Sequence, residues 1–305
     1  SESQGQRSSF LSRFRVKPRH RMAFMKKSLY RAGLPLQGQK RQLFRWQVLM
    51  YPLDQYMKRS AVMLDISDLH VNVDDTEVLH DINLHIGQGE THVLMGPNGS
   101  GKSTLLKAVM GFGGYTITAG SIVFRGTDIT HMPIHERAHL GIGMMFQHPP
   151  AISGLKLGKL LTATSHMGEG AIEALAQSVN MERFLTRDIN VGFSGGEIKR
   201  SEVLQLKVQQ PDFIMLDEPE SGVDLENMNL MGKEIAGLLE KDVHIVNRRR
   251  SGLIITHTGY ILDYLEADQG HVMISGRIRC HGNPREILRV VKVNGCGECL
   301  RCKQI

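Results

Sequence analysis

Apolar and polar residues are patterned along most of this chain so that strands and helices alternate. Three short strands are predicted at 63–73, 77–86 and 90–95, and the last of them runs into a Gly-rich loop. A helix is predicted to follow from Lys102 to about Met110. This order of strand, loop and helix is typical of a parallel α/β protein.

The same pattern continues further along the chain. It predicts strands near 121–124, 141–146, 212–216, 252–256, 271–275 and 277–281, and helices near 133–140, 196–209, 225–240, 259–265 and 284–292. The strand at 212–216 is apolar except for Asp212, as expected of a central strand that is buried on both faces. Residues 155–190 have helical spacing with breaks, which indicates a small helical insertion. We therefore expect one α/β domain built on a mostly parallel sheet.

The first 62 residues differ in composition from the rest. They hold fourteen Lys or Arg and two acidic residues, a charge of +12, whereas the remaining 23 basic and 29 acidic residues give −6. They are interpreted as residues upstream of a natural start at Met63, as an organellar targeting segment, or as a basic arm for membranes or nucleic acids. A clean first strand directly after Met63 favours the first interpretation. Because the basic charge belongs to this extension, we expect no nucleic-acid partner.

A phosphate-binding loop is the strongest chemical motif. Its sequence matches G-x-x-x-x-G-K-[ST] between a predicted strand and a predicted helix. Glycines at this spacing let backbone N–H groups point at phosphates, and the helix N-terminus adds partial positive charge. The residues assigned to ATP are Gly96, Pro97, Asn98, Gly99, Ser100, Gly101, Lys102, Ser103 and Thr104. Lys102 is expected to reach the β- and γ-phosphates, Ser103 to bind Mg²⁺, and Thr104 to assist at the α-phosphate.

Polar residues that follow predicted strands supply the expected catalytic chemistry. Asp217 ends the buried strand, where an acid can hold Mg²⁺, often through water. Glu218 comes next and is placed to orient or deprotonate the attacking water. Gln147 is expected to contact Mg²⁺ or water, and His257 to hydrogen-bond the γ-phosphate. Gln147 and His257 are weak signals alone, and the complete set strengthens both.

A second Gly-rich turn opens a helix about ninety residues after the first loop. Its residues are Ser194, Gly195, Gly196 and Glu197. We expect this turn to lie far from Lys102 within one chain and to act in trans, closing over the γ-phosphate held by a second copy. Hydrolysis would then need a head-to-tail pair. The loop expected near that interface contains Ser221, Gly222 and Asp224, of which Asp224 can also cap the next helix.

These motifs resemble those of the ATP-binding-cassette (ABC) ATPases over residues 63–292 or so. Finer detail is similar to one branch, SufC, the ATPase of the Suf iron–sulfur cluster assembly machinery. The residues that carry this likeness are 193–206, Phe-Ser-Gly-Gly-Glu-Ile-Lys-Arg-Ser-Glu-Val-Leu-Gln-Leu, together with 69–80, 144–150, 190–192, 220–224 and 256–264. Transporter cassettes usually carry an aromatic residue that stacks on adenine. None lies between Leu69 and Val78, which agrees with the SufC likeness.

The resemblance implies an α/β fold of the P-loop ABC ATPase type. Its parts would be a mostly parallel central sheet, an antiparallel β subdomain and a small helical subdomain at about 150–195. It also implies ATP and Mg²⁺ as ligands, an ATP-dependent homodimer, and a SufB-like (SufB/SufD) scaffold that the paired ATPase distorts to help build or release a cluster. The scaffold contact is implied at roughly 147–165. The chain is thus divided into a basic extension at 1–62, an ATPase domain at 63–292 and a Cys-rich tail at 293–305.

The tail holds three of the four cysteines of the chain. They are Cys296, Cys299 and Cys302. Cys-x-x-Cys spacing suits zinc or an iron–sulfur cluster, and Cys280, His281 or another subunit could supply a fourth ligand. A flexible reduced tail and thiol chemistry in sulfur handling are the alternatives.

Other functions use the same core motifs. The ATP-binding subunit of a transporter with a separate permease shares every catalytic residue. A non-catalytic nucleotide switch is disfavoured by intact Glu218 and His257, and a DNA- or ribosome-associated protein by the lack of a second cassette or a long coiled-coil insertion. There is no apolar run of about eighteen residues. We expect a cytoplasmic protein without membrane insertion, with organellar import if residues 1–62 are a native targeting segment.

Overall fold

The computed structural model describes residues 62–165 and 167–294, without the side chains of 225, 226 and 294. Three of the predicted metal ligands, Cys296, Cys299 and Cys302, lie outside the described residues, as do residues 1–61 of the basic extension. Within the described ranges, no helix combines the length and the apolar content needed to cross a membrane.

Strands and helices alternate through the described residues. The strands are β1 (Val62–Val73), β2 (Thr76–Gly87), β3 (Thr91–Met95), β4 (Tyr115–Phe124), β5 (Thr127–Asp128), β6 (Ile142–Met145), β7 (Ile152–Lys156), β8 (Asp188–Ile189), β9 (Phe213–Asp217), β10 (Ser251–Ile255), β11 (Gln269–Ile274) and β12 (Arg277–Gly282). The helices are α1 (Lys102–Met110), α2 (Ile134–His139), α3 (Leu157–Ala163), α4 (Glu169–Ser178), α5 (Gly195–Gln209), α6 (Leu225–Leu238) and α7 (Pro284–Asn294). Short 3-10 helices lie at Glu182–Phe184, Ile245–Asn247 and Tyr260–Asp263.

The central sheet has six strands in the order β12-β11-β3-β10-β9-β6. Five neighbouring strands, β11, β3, β10, β9 and β6, pair in parallel. Strand β12 pairs antiparallel with β11 at one edge of the sheet. This confirms the prediction of a mostly parallel central sheet. Because parallel strands run in one direction, their carboxyl ends all lie along one edge of the sheet.

Side chains of one central strand pack alternately on the two faces of this sheet. On β9, Ile214 and Leu216 join one buried apolar cluster, and Phe213 and Met215 join another. Burying a side chain of this size stabilises the fold by about 1.5–3 kcal/mol. The strand predicted at 212–216 therefore forms one residue later and is buried on both faces, as its apolar run indicated.

A second sheet of four antiparallel strands packs on α1. Its order is β2-β1-β4-β5. Buried residues of β1 and β2, such as Leu69 and Ile82, share a cluster with Leu105, Leu106 and Val109 of α1. This confirms the antiparallel β subdomain that the family resemblance implies.

The segment predicted as helical at 155–190 contains α3 and α4, but the prediction missed a two-stranded sheet. Strand β7 precedes these two helices in the sequence and β8 follows them, and the two strands pair with each other. Lys156 Nζ lies 2.8 Å from Asp188 Oδ1, and the Leu157 N–H donates to the Arg187 carbonyl at 2.9 Å. Local periodicity could not show this pairing, because the partners are widely separated in the sequence. The subdomain boundary at about 150–195 stays a prediction.

Two further predictions differ from the structure. Strand β4 begins at Tyr115, well before the predicted 121–124, because Tyr115 pairs with Val73 on β1. The helix predicted near 259–265 is a single 3-10 turn at Tyr260–Asp263 that follows Gly259 in the left-handed conformation. The remaining predicted helices and strands end within about two residues of their observed bounds.

One buried arginine joins α1 to α2. Arg137 is 2% exposed, and its guanidinium donates to four carbonyl oxygens, those of Ala108, Val109, Thr130 and Met132, at 2.7–3.1 Å. Two of these carbonyls belong to the last turn of α1, where a cation is favourable. Burial lowers the pKa of Arg137. The planar fork of a guanidinium suits four acceptors that one ammonium could not satisfy together.

We expect Arg137→Met to lower the free energy of unfolding by about 3 kcal/mol, because it leaves several buried carbonyls without donors. Arg137→Lys should recover little of that loss. Urea-induced unfolding would measure both changes. The exposed Arg289 on α7 provides the control, and Arg289→Met should change stability by less than about 0.5 kcal/mol. Wild-type stability of Arg137→Met would contradict the assignment.

Candidate functional site

The predicted phosphate-binding loop connects β3 to α1. Lys102 begins the helix, is buried, and donates from Nζ to the carbonyls of Gly96 and Pro97, both at 2.9 Å. The lysine side chain thus folds back over the loop, and its ammonium group lies against the loop backbone at Gly96 and Pro97. This is the strand–loop–helix arrangement that the motif predicts.

Two glycines of the loop are required by its backbone. Gly96 has φ +156°, and a Cβ there would lie 2.2 Å from the Met273 carbonyl oxygen, so no other residue fits without moving β11. Gly99 has φ +75°, in the region that side chains disfavour, although the space beside it is open. The loop therefore has a backbone path that depends on its glycines, in agreement with the phosphate-binding motif.

Four predicted site residues lie where parallel strands end. Gly96 follows β3, Gln147 comes two residues after β6, Asp217 ends β9, and His257 comes two residues after β10. These four strands are consecutive in the central sheet. Their carboxyl ends form one edge, which is where α/β proteins bind ligands. The sheet therefore brings together residues that are up to 161 positions apart in the sequence.

Glu218 contacts both of the other predicted catalytic residues. The Gln147 side-chain amide donates to Glu218 Oε2 at 2.7 Å, and His257 Nδ1 lies 3.2 Å from Glu218 Oε1. Glu218 is buried, whereas the His257 side chain is 46% exposed. Glu218 also has φ +49°, an uncommon value for a non-glycine residue that turns the chain sharply after β9. One carboxylate is thus held by two side chains from neighbouring strand ends.

Asp217 and Ser103 form a donor set that suits Mg²⁺. The Ser103 hydroxyl hydrogen-bonds to the Asp217 carboxylate, and burial raises the pKa of Asp217. Asp217 Oδ1 is buried and has no hydrogen-bond partner among the described residues. A buried oxygen left without a partner is costly, and a hard cation would satisfy it. Carboxylate and hydroxyl oxygens are the ligands that Mg²⁺ prefers, so the residues present fit this ion.

The second Gly-rich turn begins α5. The Glu197 N–H donates to Ser194 Oγ at 3.4 Å and the Ser194 N–H donates to Glu197 Oε2 at 2.8 Å, which is a capping box. A Cβ on Gly195 would lie 2.8 Å from the Gly222 carbonyl, so this turn lies against the loop that contains Ser221. Asp224 caps α6 by accepting from the Asn227 N–H at 2.8 Å, which confirms its predicted capping role.

Sequence reasoning missed two charged residues that connect α5 to the segment of Gln147. Lys199 Nζ donates to the carbonyls of Phe146 and Gln147 at 2.6 and 3.0 Å, and the Phe146 N–H donates to Glu202 Oε1 at 2.9 Å. Both side chains are buried. Burial lowers the pKa of Lys199 and raises that of Glu202 to about 7. Their signal in the sequence was a Lys and a Glu three residues apart on the face of α5 that packs inward.

A third missed residue is Glu220. It is buried, and its Oε1 accepts from the hydroxyls of Thr256 and Thr258, the latter at 2.9 Å. These threonines flank His257. Glu220 therefore fixes the backbone on both sides of the histidine and joins it to the loop of Ser221 and Asp224. The run of acids after β9 contains Glu220, but nothing in the local pattern separates it from an exposed acid.

A groove lies beside the Gln147 segment, and we call it the Gln-loop groove. It has a volume of about 710 Å³ and is lined by residues from 110 to 211. Apolar side chains dominate its wall and include Phe112, Met144, Phe146, Pro149, Pro150 and Leu160. Glu202 and Asn190 also reach it. Seven of its lining residues, among them Pro149, Pro150 and Leu160, belong to the segment at 147–165 where the family resemblance implies a partner contact.

Comparisons with known proteins agree with this site. A family model described as ABC transporter matches residues 79–221. The probable ATP-dependent transporter SufC of Escherichia coli (strain K12) is 38% identical over 231 residues, which cover 71% of this chain and 90% of that protein. The chain belongs to the ABC ATPase family. Its sequence is SufC-like, and as an ABC ATPase it binds ATP with Mg²⁺ and hydrolyses ATP.

Other relatives give the same family. The probable ATP-dependent transporter ycf16 of Cyanidium caldarium is 38% identical over 237 residues, 73% of this chain and 90% of that protein. A probable ABC transporter ATP-binding protein of Streptococcus pyogenes serotype M3 is 35% identical over 248 residues, covering 77% and 94% of the two chains. A solved nucleotide-free ATP-binding cassette from an ABC transporter has a TM-score of 0.64 at 24% identity, covering 78% of this chain and 98% of its own. That structure shows the shared fold.

Glu202 generates a pH-dependent prediction. Its pKa is raised from 4.5 to about 7 in the fold. Between these two pH values the unfolded chain ionises while the folded chain keeps the proton, so stability falls as pH rises through this window. The Gln side chain of Glu202→Gln cannot ionise. The free energy of unfolding of this variant, relative to that of wild type, should therefore rise over the same window by at most about 3 kcal/mol. Urea-induced unfolding below pH 4.5 and above pH 7 would measure the difference.

The exposed Glu173 of α4 provides the matched control. Glu173→Gln should show no such relative change across the window. A constant stability difference between wild type and Glu202→Gln would show that Glu202 ionises normally in the fold.

Proposed function

We propose that this chain is a SufC-like ATPase subunit that pairs head to tail and drives a conformational change of a SufB-like scaffold in iron–sulfur cluster assembly. The observation that carries the proposal is the SufC likeness, at 38% identity over 90% of the Escherichia coli protein. The segments that resemble SufC include α5 and the Gly-rich turn at 194–197 that begins it, which we call the signature helix and the signature turn. They also include the Gln147 segment, where a partner signal would reach the ATP site. Lys199 and Glu202 connect those two segments.

We propose the following roles for the residues of the ATP site. The loop at 96–104 wraps the phosphates, and Lys102 turns its ammonium to the β- and γ-phosphates. Ser103 and Asp217, with Gln147 beside them, would hold Mg²⁺, and the ion would neutralise charge on the phosphate oxygens. Glu218 orients or deprotonates the attacking water. The exposed His257 hydrogen-bonds the γ-phosphate from the neighbouring strand end.

The remaining signature residues act in a second copy. Ser194, Gly195 and Gly196 form a helix N-terminus, which is a binding site for anions. Glu197 completes the capping box that holds this turn in shape. The loop of Ser221, Gly222 and Asp224 lies against the same turn, so both would meet the partner copy together. Each ATP would then lie between the loop at 96–104 of one chain and the signature turn of the other.

The Gln-loop groove is the surface that we assign to the scaffold. It is largely apolar, and an apolar concave surface of this size is typical of binding sites. Its wall includes Phe146, the residue before Gln147. A scaffold segment seated there would press on the chain that holds Gln147 against Glu218, which offers a physical route between docking and hydrolysis.

Glu218→Gln is expected to bind ATP and to pair, but to release phosphate at least about 100-fold more slowly, because the amide cannot accept the proton of water. Nucleotide retention and phosphate release would measure the two effects separately. Glu173→Gln, a change of the same kind on the exposed face of α4, should match wild type. Unchanged turnover in Glu218→Gln would remove Glu218 from its assigned role.

Head-to-tail pairing predicts complementation between two inactive variants. Lys102→Ala damages the phosphate loop, and Ser194→Asp keeps a helix cap while placing negative charge against the phosphate of the other chain. Each variant alone should be nearly inactive, and a mixture should hydrolyse ATP because one composite site in a mixed pair is intact.

Wild-type specific activity should also rise with protein concentration. A mixture as inactive as its components would contradict the proposed pairing.

The partner is tested by purifying the protein at native abundance from its source cells and identifying what accompanies it by mass spectrometry. Recovery of a SufB-like scaffold supports the proposal. Several relatives are named as ATP-binding proteins of ABC transporters, and recovery of a polytopic permease would instead favour a transporter subunit. Phe146→Asp on the groove wall should reduce recovery of either partner.

A further inference from the structure

Two histidines and a glutamate meet on the antiparallel sheet, among residues that the ATP site does not use. His70 lies on β1, and Glu77 and His80 lie on β2. Glu77 Oε1 is 2.5 Å from His70 Nδ1 and 3.2 Å from His80 Nδ1. One ligand atom from each of the three side chains lies within 4.8 Å of the other two. We propose that these residues form a site for a divalent transition-metal cation of the Zn²⁺ class.

An irregular register is what brings these side chains to one place. In a regular strand, residues 77 and 80 would point to opposite faces of the sheet. The pairing of β1 with β2 shifts on both sides of Val71, so β2 contributes extra residues opposite His70. Asp81 has φ +49°, which turns β2 at this point. Bulges commonly re-aim side chains in this way.

A second carboxylate orients His70. Asp81 Oδ1 lies 2.8 Å from His70 Nε2, and Arg277 donates to the same carboxylate. If Nε2 carries the ring proton and donates it to Asp81, the lone pair on Nδ1 is free to bind a cation. Metal-binding histidines almost always have such a partner on the other ring nitrogen. The cluster thus has both the ligands and the support of a metal centre.

The donor set selects the class of cation. Two imidazole nitrogens and one carboxylate oxygen suit Zn²⁺ and similar ions, whereas Mg²⁺ and Ca²⁺ prefer oxygen ligands alone. Zinc bonds of 2.0–2.1 Å place neighbouring ligands of a tetrahedron about 3.3 Å apart, close to the His80–Glu77 distance. Side-chain exposures of 27%, 42% and 28% leave a fourth position open to water.

A cation here would brace the flank of the phosphate loop. It would join β1 to β2 directly, and the His80 N–H already donates to the Gly276 carbonyl at 2.9 Å. The Gly276 N–H in turn donates to the Ser100 carbonyl in the loop, also at 2.9 Å. The proposed site is therefore two hydrogen bonds away from the residues assigned to ATP. It does not depend on the proposed role in iron–sulfur assembly.

The test uses the full chain without a histidine tag, because the tail cysteines and a tag would also bind zinc. Cys296, Cys299 and Cys302 are replaced together by serine, and the protein is freed of metal with a chelator and kept without nucleotide. Calorimetric titration with Zn²⁺ should then show one equivalent per chain. Titration with Co²⁺ should give visible d–d bands without the thiolate charge-transfer bands that the tail would produce.

Variants in this background locate the bound ion. His70→Ala and His80→Ala should each weaken Zn²⁺ binding by at least about tenfold, and Asp81→Asn by about 10–100-fold. His85 provides the matched control, since it lies on β2 with its Nδ1 3.3 Å from Asp65 on β1. His85→Ala should bind Zn²⁺ as the parent protein does.

Folding is checked by ATP binding, which each metal-free variant should retain. Zn²⁺ should raise the unfolding temperature of the parent protein and leave that of His70→Ala unchanged. If one histidine variant does not fold, Glu77→Gln, a change at an exposed position, replaces it. The absence of a zinc equivalent in the cysteine-free protein would overturn the proposal. Equal Zn²⁺ affinity in the parent and in both folded ligand variants would overturn it as well.

Discussion

The parallel pairing of β3, β10, β9 and β6 is the constraint on which the rest of the structure depends. Its register sets Ile255 beside Asp217 on one side and Leu94 on the other, and Met145 beside Leu216, so the chain leaves all four strands at one level of the sheet. The phosphate loop and the segments with Gln147, Glu218 and His257 begin there. Such a sheet must be covered on both faces, and the two apolar clusters on either side supply the stabilisation that keeps this register.

Buried polar contacts at that edge join segments that would otherwise move independently. Glu218 is held by Gln147 and His257, and Glu220 is held by the threonines on either side of His257. Lys199 connects the signature helix to the Gln147 segment. Buried polar groups are costly unless their partners are in place. A displacement of one segment therefore disturbs the others, which is the property that the proposed coupling between partner docking and hydrolysis requires.

Much of the fold could be predicted, because its signals are local. The phosphate loop, the apolar run before Asp217 and the helix after Ser194 each show their structure within a few residues, and the structure agrees. The early start of β4 and the pairing of β7 with β8 could not be predicted in this way. Tyr115 becomes a strand residue because it pairs with Val73. Lys156 becomes one because it lies beside Asp188. Those partners are distant in sequence and are chosen by packing.

The sequence by itself determined the chemistry of the site, since a Gly-rich loop, a Lys and an acid after a buried strand have their properties wherever they meet. It also determined the family, through motifs of fixed spacing. Only the tertiary structure decided which acids are buried and what they contact. Glu202 and Glu220 are ordinary glutamates in the sequence, and His70, Glu77 and His80 are ordinary polar positions of a strand. Burial and the register between strands decide what these side chains contact, and both depend on residues far along the chain.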